Sequence, residues 1–360
     1  MSDGRTRHAY IDWARGLAVL IMIEAHTLDS WTRAADRRGG AYAQAMILAG
    51  FAAPLFLFLA GVGAVLSAES KRRRSGDVGG STRAVARRGW EILGLAFLFR
   101  LQALVVSAGS SLSALLKVDI LNVMGPAVAA TALVWGAARH RVGRLMAFAG
   151  IAAATAMLTP IVRTTRWLDG LADPLESYLR PMAGRGEFAL FPWAGFVFAG
   201  AAAGLLVDLS SDPRAARRAQ VWLASAGVGL AALGYATSLL PSIYDDSSFW
   251  TSSPTFFCLR VGLITALLPL AYLWNRRPRF LARSRWSPVE ELGRSSLFVY
   301  WIHVDIAYGL LTRPLHRSLT LAGATVACGL FCLLMLAFVI IKNELVARWK
   351  ARPFGGIGGN

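Results

Sequence analysis

Apolar runs of about twenty residues recur along the whole chain, and short polar segments between them carry most of the charge. A run of that length makes a helix of roughly 30 Å, enough to cross the hydrocarbon core of a bilayer. The pattern predicts about ten spans, at 10–28, 42–67, 87–107, 118–138, 142–162, 189–209, 219–240, 254–274, 294–312 and 320–342. No internal repeat, soluble terminal domain or cleavable signal segment is visible. The expected fold is all-α, a polytopic integral membrane helical bundle forming a single transmembrane domain over 1–360.

One span departs from the apolar rule. The run YIDWARGLAVLIMIEAHTL, Tyr10 to Leu28, carries Asp12, Arg15, Glu24 and His26. Ionisable groups inside a span are costly and face a protein-lined or watery interior. Arg15 and His26 are eleven residues apart, about three helical turns, so they share a face roughly 16 Å apart along the axis. Asp12 lies three before Arg15 and Asp29 three after His26, each within reach of its neighbour. Other polar residues fall inside or at the ends of later spans: Glu91, Arg100 and Gln102 in the third, Asp119 and Asn122 opening the fourth, Arg260 in the eighth, His303 and Asp305 in the ninth.

Charge then orients the chain. Of the 38 basic residues, 25 fall on the side that includes the N-terminus, 10 on the other and three within spans. The bias expects both termini in the cytoplasm, with KRRR at Lys71–Arg74 and the loop Arg276–Arg285 as the strongest markers, and a multi-pass protein of the inner (plasma) membrane. It places Arg15 near the cytoplasmic mouth, and His26, Asp29, Asp119, Asn122, His303 and Asp305 at middle to outer depth. Charged residues are only 16% and mean hydropathy is +0.48, so the net charge of +17 reflects topology and not nucleic-acid binding. Cys258, Cys328 and Cys332 all lie in apolar spans and read as buried hydrophobes; no metal site is expected.

Two outer loops, Arg163–Phe188 and Pro241–Ser253, mix aromatics with carboxylates: Trp167, Tyr178, Asp169, Asp173, Glu176 and Glu187 in one, Tyr244, Asp245, Asp246, Phe249 and Trp250 in the other. Such loops suit carbohydrate, and equally an interfacial aromatic belt. Pro54 with Gly61 and Gly63, and Pro192 with Gly195 and Gly200, read first as helix-packing devices.

Imidazole is the side chain best suited to take a proton at neutral pH, and a carboxylate beside it would hold its tautomer. His26 with Asp29 fits that pattern, either as general base for attack on an acyl carbonyl or as a transient acyl carrier. Arg15 suits a phosphate or an ion pair with Asp12. Arg100 and Arg260 suit an anion or buried pairing with Asp119 or Asp305.

These residues carry a resemblance. RHAYIDWARGLAVLIMIEAH resembles the opening helix of transmembrane acyltransferases, namely the heparan-α-glucosaminide N-acetyltransferase-like bacterial proteins and related sugar O-acyltransferases. The match lies in D-x-x-R-G at Asp12–Gly16 and in Arg15 separated by ten residues from His26. PLFLFLAGVG at 54–63, VDILNVMG at 118–125, FPWAGFVFAG at 191–200 and FVYWIHVDIAYG at 298–309 are similar to that branch in order and position. The resemblance implies an acyl-CoA, acetyl-CoA above all, bound from the cytoplasm as donor, with no other cofactor. It implies a sugar or glycan hydroxyl or amine on the far side as acceptor. His26 would be catalytic, oriented by Asp29 or Asp119. Arg15 would lie on the acyl-CoA path. From their polarity and depth in the spans, and not from the resemblance, Asn122, Arg100, Arg260, His303 and Asp305 are substrate-binding candidates. In the animal enzyme the active histidine lies in the loop after this helix and asparagine fills the position of His26. Here the loop Asp29–Ala41 has no histidine, so N- and O-acylation both stay open.

A different class is also open, a proton-coupled transporter or flippase in which the same stripe relays protons or holds a solute at midplane. The lack of a visible repeat counts against it. A non-catalytic membrane scaffold is a third reading. Gly- and Ala-rich helix faces would suit a homodimer.

Overall fold

In the computed structural model, which describes residues 8–106, 115–208, 213–276 and 286–351, the apolar runs form helices, with no β-strand among those residues. In chain order these are α1 (Ala9–Trp31), α2 (Gly40–Ala49), α3 (Ala52–Ser75), α4 (Val78–Val106), α5 (Ile120–Ala137), α6 (Arg141–Thr164), α7 (Asp173–Leu179), α8 (Leu190–Asp208), α9 (Pro213–Ser238), α10 (Pro254–Asn275), α11 (Pro288–Arg294), α12 (Ser296–Tyr308) and α13 (Leu321–Ala351). Past Arg276, the basic run to Arg285 lies outside the described residues.

Seven stretches among the described residues are long and apolar enough to cross a membrane: 40–75, which joins α2 and α3, then α5, α6, α8, α9, α10 and α13. Large apolar side chains stand exposed along them, among them Val221, Val228 and Leu233 on α9 and Val326, Leu330 and Leu333 on α13. Such faces would be an aggregation hazard in water and are at home in lipid. The chain is an all-α polytopic membrane protein. The other three expected spans correspond to α1 and α4, whose charges dilute their hydropathy, and α12. With 13 residues α12 is about 20 Å long, short of a full crossing.

Two expectations change in detail. The run 42–67 is two helices, broken at Gly50–Phe51, where the Gly50 N–H closes α2 on the Met46 carbonyl. Pro54 therefore sits in the first turn of α3, where its missing N–H costs nothing, and frees no mid-span carbonyl. Likewise Phe191 is non-helical and precedes a cis peptide to Pro192, so regular helix begins only after it.

The chain divides into two compact units, 1–52 with 278–360, and 53–277. In the first unit α1 packs against α2, α11, α12 and α13. Its contact with α11 is backbone on backbone. A Cβ on Gly16 would collide with the Val289 carbonyl, 2.6 Å from its carbon, and a Cβ on Gly293 would collide with the Asp12 carbonyl in turn. At the other end of α1, Ser30 Oγ and Trp31 Nε1 both donate to the Ala307 carbonyl at 2.7 and 3.0 Å, tying the end of α12 to the end of α1. The Trp31 ring also stacks on Phe331 of α13, with centroids 5.6 Å apart.

In the second unit α3 and α8 cross at Gly61 and Gly200, where a Cβ would strike the opposing backbone in either direction. Buried beside them is a charged cluster. The Arg144 guanidinium donates to Glu69 Oε1 at 2.8 Å and to the carbonyls of Trp135 and Ala138 at 2.9 and 3.0 Å. It also lies 4.2 Å over the Trp135 ring, whose Nε1 donates to the same Glu69 oxygen at 3.0 Å. Every charge here has a partner, as burial demands.

Candidate active site

The first unit gathers the polar stripe of α1. At its start Asp12 is buried, and Arg15 Nη1 lies 3.3 Å from its Oδ1. Arg294, at the end of α11, brings Nε to 3.8 Å from Asp12 Oδ2. The acid of the D-x-x-R-G run thus serves two guanidiniums, with its glycine at the α11 contact.

Ten residues further on, His26 Nδ1 lies 3.0 Å from the Tyr308 hydroxyl, and that hydroxyl donates to Asp29 Oδ2 at 2.9 Å. The His26 and Tyr308 rings meet edge to face. On the other side of Asp29, Arg37 Nη2 donates to Oδ1 in a very short contact and to the Asp29 backbone carbonyl at 2.6 Å. Arg37 Nε donates to the Tyr42 hydroxyl at 3.1 Å. The imidazole is therefore held through Nδ1 by a chain running Arg37, Asp29, Tyr308. Nε2 has no hydrogen-bond partner among the described residues.

His303, fully buried on α12, stands beside His26 with ring centroids 5.2 Å apart. Its Nδ1 lies 2.8 Å from the Val299 carbonyl, and its Nε2 finds no partner among the described residues. Asp305 is half-buried two residues on, which on a helix is the far face from His303. The first loop is fixed to α13 by Asp36, whose Oδ2 accepts from the Leu321 N–H at 2.9 Å. That hydrogen bond, opposed by desolvation and helped by Arg33, holds the Asp36 carboxyl below its usual range.

In the second unit, Asp119 and Asn122 are engaged in capping α5. Asp119 Oδ1 accepts from the backbone N–H groups of Leu121 and Asn122 at 2.9 and 3.1 Å, and Asn122 Oδ1 accepts from the Asp119 N–H at 3.0 Å. This is a reciprocal capping box. Asn122 Nδ2 also donates to Tyr178 of α7, and burial pushes the Tyr178 phenol up. Arg100 Nε lies 3.3 Å from Asp119 Oδ2, an ion pair lacking hydrogen-bond alignment. Arg260 lies 4.0 Å over the Phe256 ring. In the loop 163–188, Arg180 takes Asp169 and Glu176, and Arg185 takes Asp173, so those carboxylates are spent on local pairs.

The structure thus brings His26, Asp29 and His303 together, and Arg15 with Asp12. It corrects one local expectation, since Asp29 reaches His26 through Tyr308. Two contributors escaped the sequence reading. Tyr308 lies inside the run 298–309 with no spacing signal that ties it to His26, and Arg37 has the sequence signature of a loop charge.

Residues 7–240 match the family described as heparan-alpha-glucosaminide N-acetyltransferase, catalytic. The chain belongs to that family. It is an acetyltransferase family of membrane proteins, and the matched segment includes Arg15, His26, Asp29, Arg100, Asp119 and Asn122. Among curated proteins none matches the chain. His303, Asp305 and Tyr308 lie beyond the matched segment, so α12 completes the histidine cluster from outside it.

Proposed function

We propose that the protein transfers an acyl group, acetyl in the first instance, from cytoplasmic acyl-CoA to a hydroxyl or amine of an extracytoplasmic sugar or glycan. The observation that carries this reading is a single imidazole in a family-matched helix, held through Nδ1 and with Nε2 left to act. His26 Nε2 takes the proton of the acceptor as the acceptor oxygen or nitrogen attacks the thioester carbonyl. Collapse of the tetrahedral intermediate breaks the carbon–sulfur bond, and the imidazolium returns the proton to the coenzyme thiolate. No net proton is gained or lost by the protein.

Arg15, steadied by Asp12, suits a phosphate of the coenzyme at the cytoplasmic mouth. His303 offers a lone pair on its uncapped Nε2, a buried acceptor for one hydroxyl of the sugar. Asp119 and Asn122 are assigned to holding α5, and Arg100 and Arg260 to the second unit's own pairing. The charge bias supports a multi-pass protein of the inner membrane with both ends in the cytoplasm.

The test is release of coenzyme A thiol from acetyl-CoA in the presence of methyl α-D-glucosaminide, with the protein in detergent or nanodiscs. His26→Ala should lower the rate by about 10²–10⁴-fold, the range of a general base, with unchanged melting. Normal turnover by that variant would remove His26 from the chemistry.

A further inference from the structure

The geometry points to Tyr308 as a positioning residue that fixes the tautomer of His26, with Asp29 setting the direction of the hydrogen bonds. The proposal rests on His26 Nε2 being the base and adds what keeps that nitrogen bare.

The argument is a count of protons. A phenol has one hydrogen to give. The Tyr308 oxygen lies between Asp29 Oδ2 at 2.9 Å and His26 Nδ1 at 3.0 Å. A carboxylate only accepts, so the phenolic hydrogen goes to Asp29. The phenol oxygen then meets Nδ1 with a lone pair, and Nδ1 must carry hydrogen. A neutral imidazole protonated at Nδ1 is bare at Nε2, the nitrogen without a partner among the described residues. Arg37 keeps Asp29 acceptor-only by donating to its other oxygen, and Tyr42 holds Arg37 in turn. From the Arg37 Nη2 donor on one side and from Nδ1 through the phenol on the other, the hydrogens point toward Asp29.

One atom can reverse that order. In Asp29→Asn the amide oxygen stays with the Arg37 donor, which turns the NH₂ toward Tyr308. The phenol must now accept from the amide and donate to Nδ1. The ring proton moves to Nε2, and the base is blocked with every contact still made. Tyr308→Phe cuts the chain without reversing it, so the ring samples both tautomers. The nearly isosteric amide is therefore the more damaging change, the reverse of what a packing role predicts.

The test uses the full-length protein in nanodiscs, labelled with ¹⁵N-histidine. The five histidines are resolved by two-bond proton–nitrogen correlation, and His26 is assigned by its loss in His26→Ala. Wild type should show Nε2 unprotonated, Asp29→Asn should show the pattern inverted, and Tyr308→Phe should show an average of the two. With acetyl-CoA and methyl α-D-glucosaminide, kcat should fall on the order of 10³-fold in Asp29→Asn, approaching a wrong-tautomer defect in a hydrolase triad. Tyr308→Phe should lose only about tenfold, with KM for acetyl-CoA unchanged in both. A wild-type His26 bare at Nδ1, or an Asp29→Asn spectrum like wild type, overturns the proposal. Activity retained by His26→Ala would instead sink the base reading, while the spectra still decide the tautomer.

Discussion

Gly16 closes the D-x-x-R-G run, and its replacement by alanine gives a prediction whose size follows from the contact it makes. The added Cβ would collide with the Val289 carbonyl of α11, standing 2.6 Å from its carbon and 2.8 Å from Val289 Cγ1. Ordinary contact begins near 3.4 Å, so α11 must retreat by about 0.8 Å even for the carbonyl carbon, and the oxygen is closer still. The obstacle is backbone, so no rotamer relieves it, and overpacking of this kind costs about 3 kcal/mol. Helix propensity returns about 1 kcal/mol on going from Gly to Ala, for a net loss of roughly 2 kcal/mol. Gly94 of α4 provides the opposite sign, because a Cβ there meets nothing within 4 Å. Gly94→Ala should be neutral or stabilising by up to about 1 kcal/mol. Equilibrium denaturation of both variants in mixed micelles separates them. A Gly16→Ala protein as stable as wild type would show that α1 and α11 are not in backbone contact. The retreat also widens the 3.8 Å gap between Arg294 and Asp12, so the surviving activity should show a raised KM for acetyl-CoA before any fall in kcat.

Two further predictions concern stability. Glu69→Ala strands the Arg144 charge, whose side chain is 9% exposed, and should cost about 3–5 kcal/mol; Glu69→Leu with Arg144→Met should recover part of that, and a double variant as weak as the single would refute the pairing. The Asp36 carboxyl is held below its usual range, so its contribution is fully present above the unfolded value, about pH 3.9, and is lost as pH falls through the lower folded value. The gap in melting temperature between wild type and Asp36→Ala should therefore be constant from neutral pH down to about pH 4 and narrow below it; a gap that grows on acidification would contradict the assignment.

The hydropathy pattern reveals nearly all the long helices, because lipid imposes the same requirement on each. It does not reveal the break at Gly50–Phe51, since the run stays apolar across it and only the turn geometry interrupts it. The i, i+3 spacing correctly pairs Arg15 with Asp12, a contact made within one helix. The same rule applied to His26 and Asp29 misses Tyr308, which comes from 282 residues away and belongs to tertiary structure alone. Asp119 and Asn122 teach the converse. An acid three residues before an asparagine, ahead of an apolar run, is a helix-start signal, and that local reading accounts for the bonds they make. Arg37 was indistinguishable from a topology charge because its meaning depends on where Asp29 turns its oxygens.

The half that seats the imidazole is drawn from both ends of the chain, residues 1–52 and 278–360. Synthesis delivers His26 well before its phenol partner, with more than two hundred residues emerging in between. A nascent chain released at residue 277 would carry the whole family-matched stretch and yet hold a histidine with no tether. Until α12 is made and docked, the ring proton is free to sit on either nitrogen, so the ordering of the site waits on chain that follows the family-matched stretch.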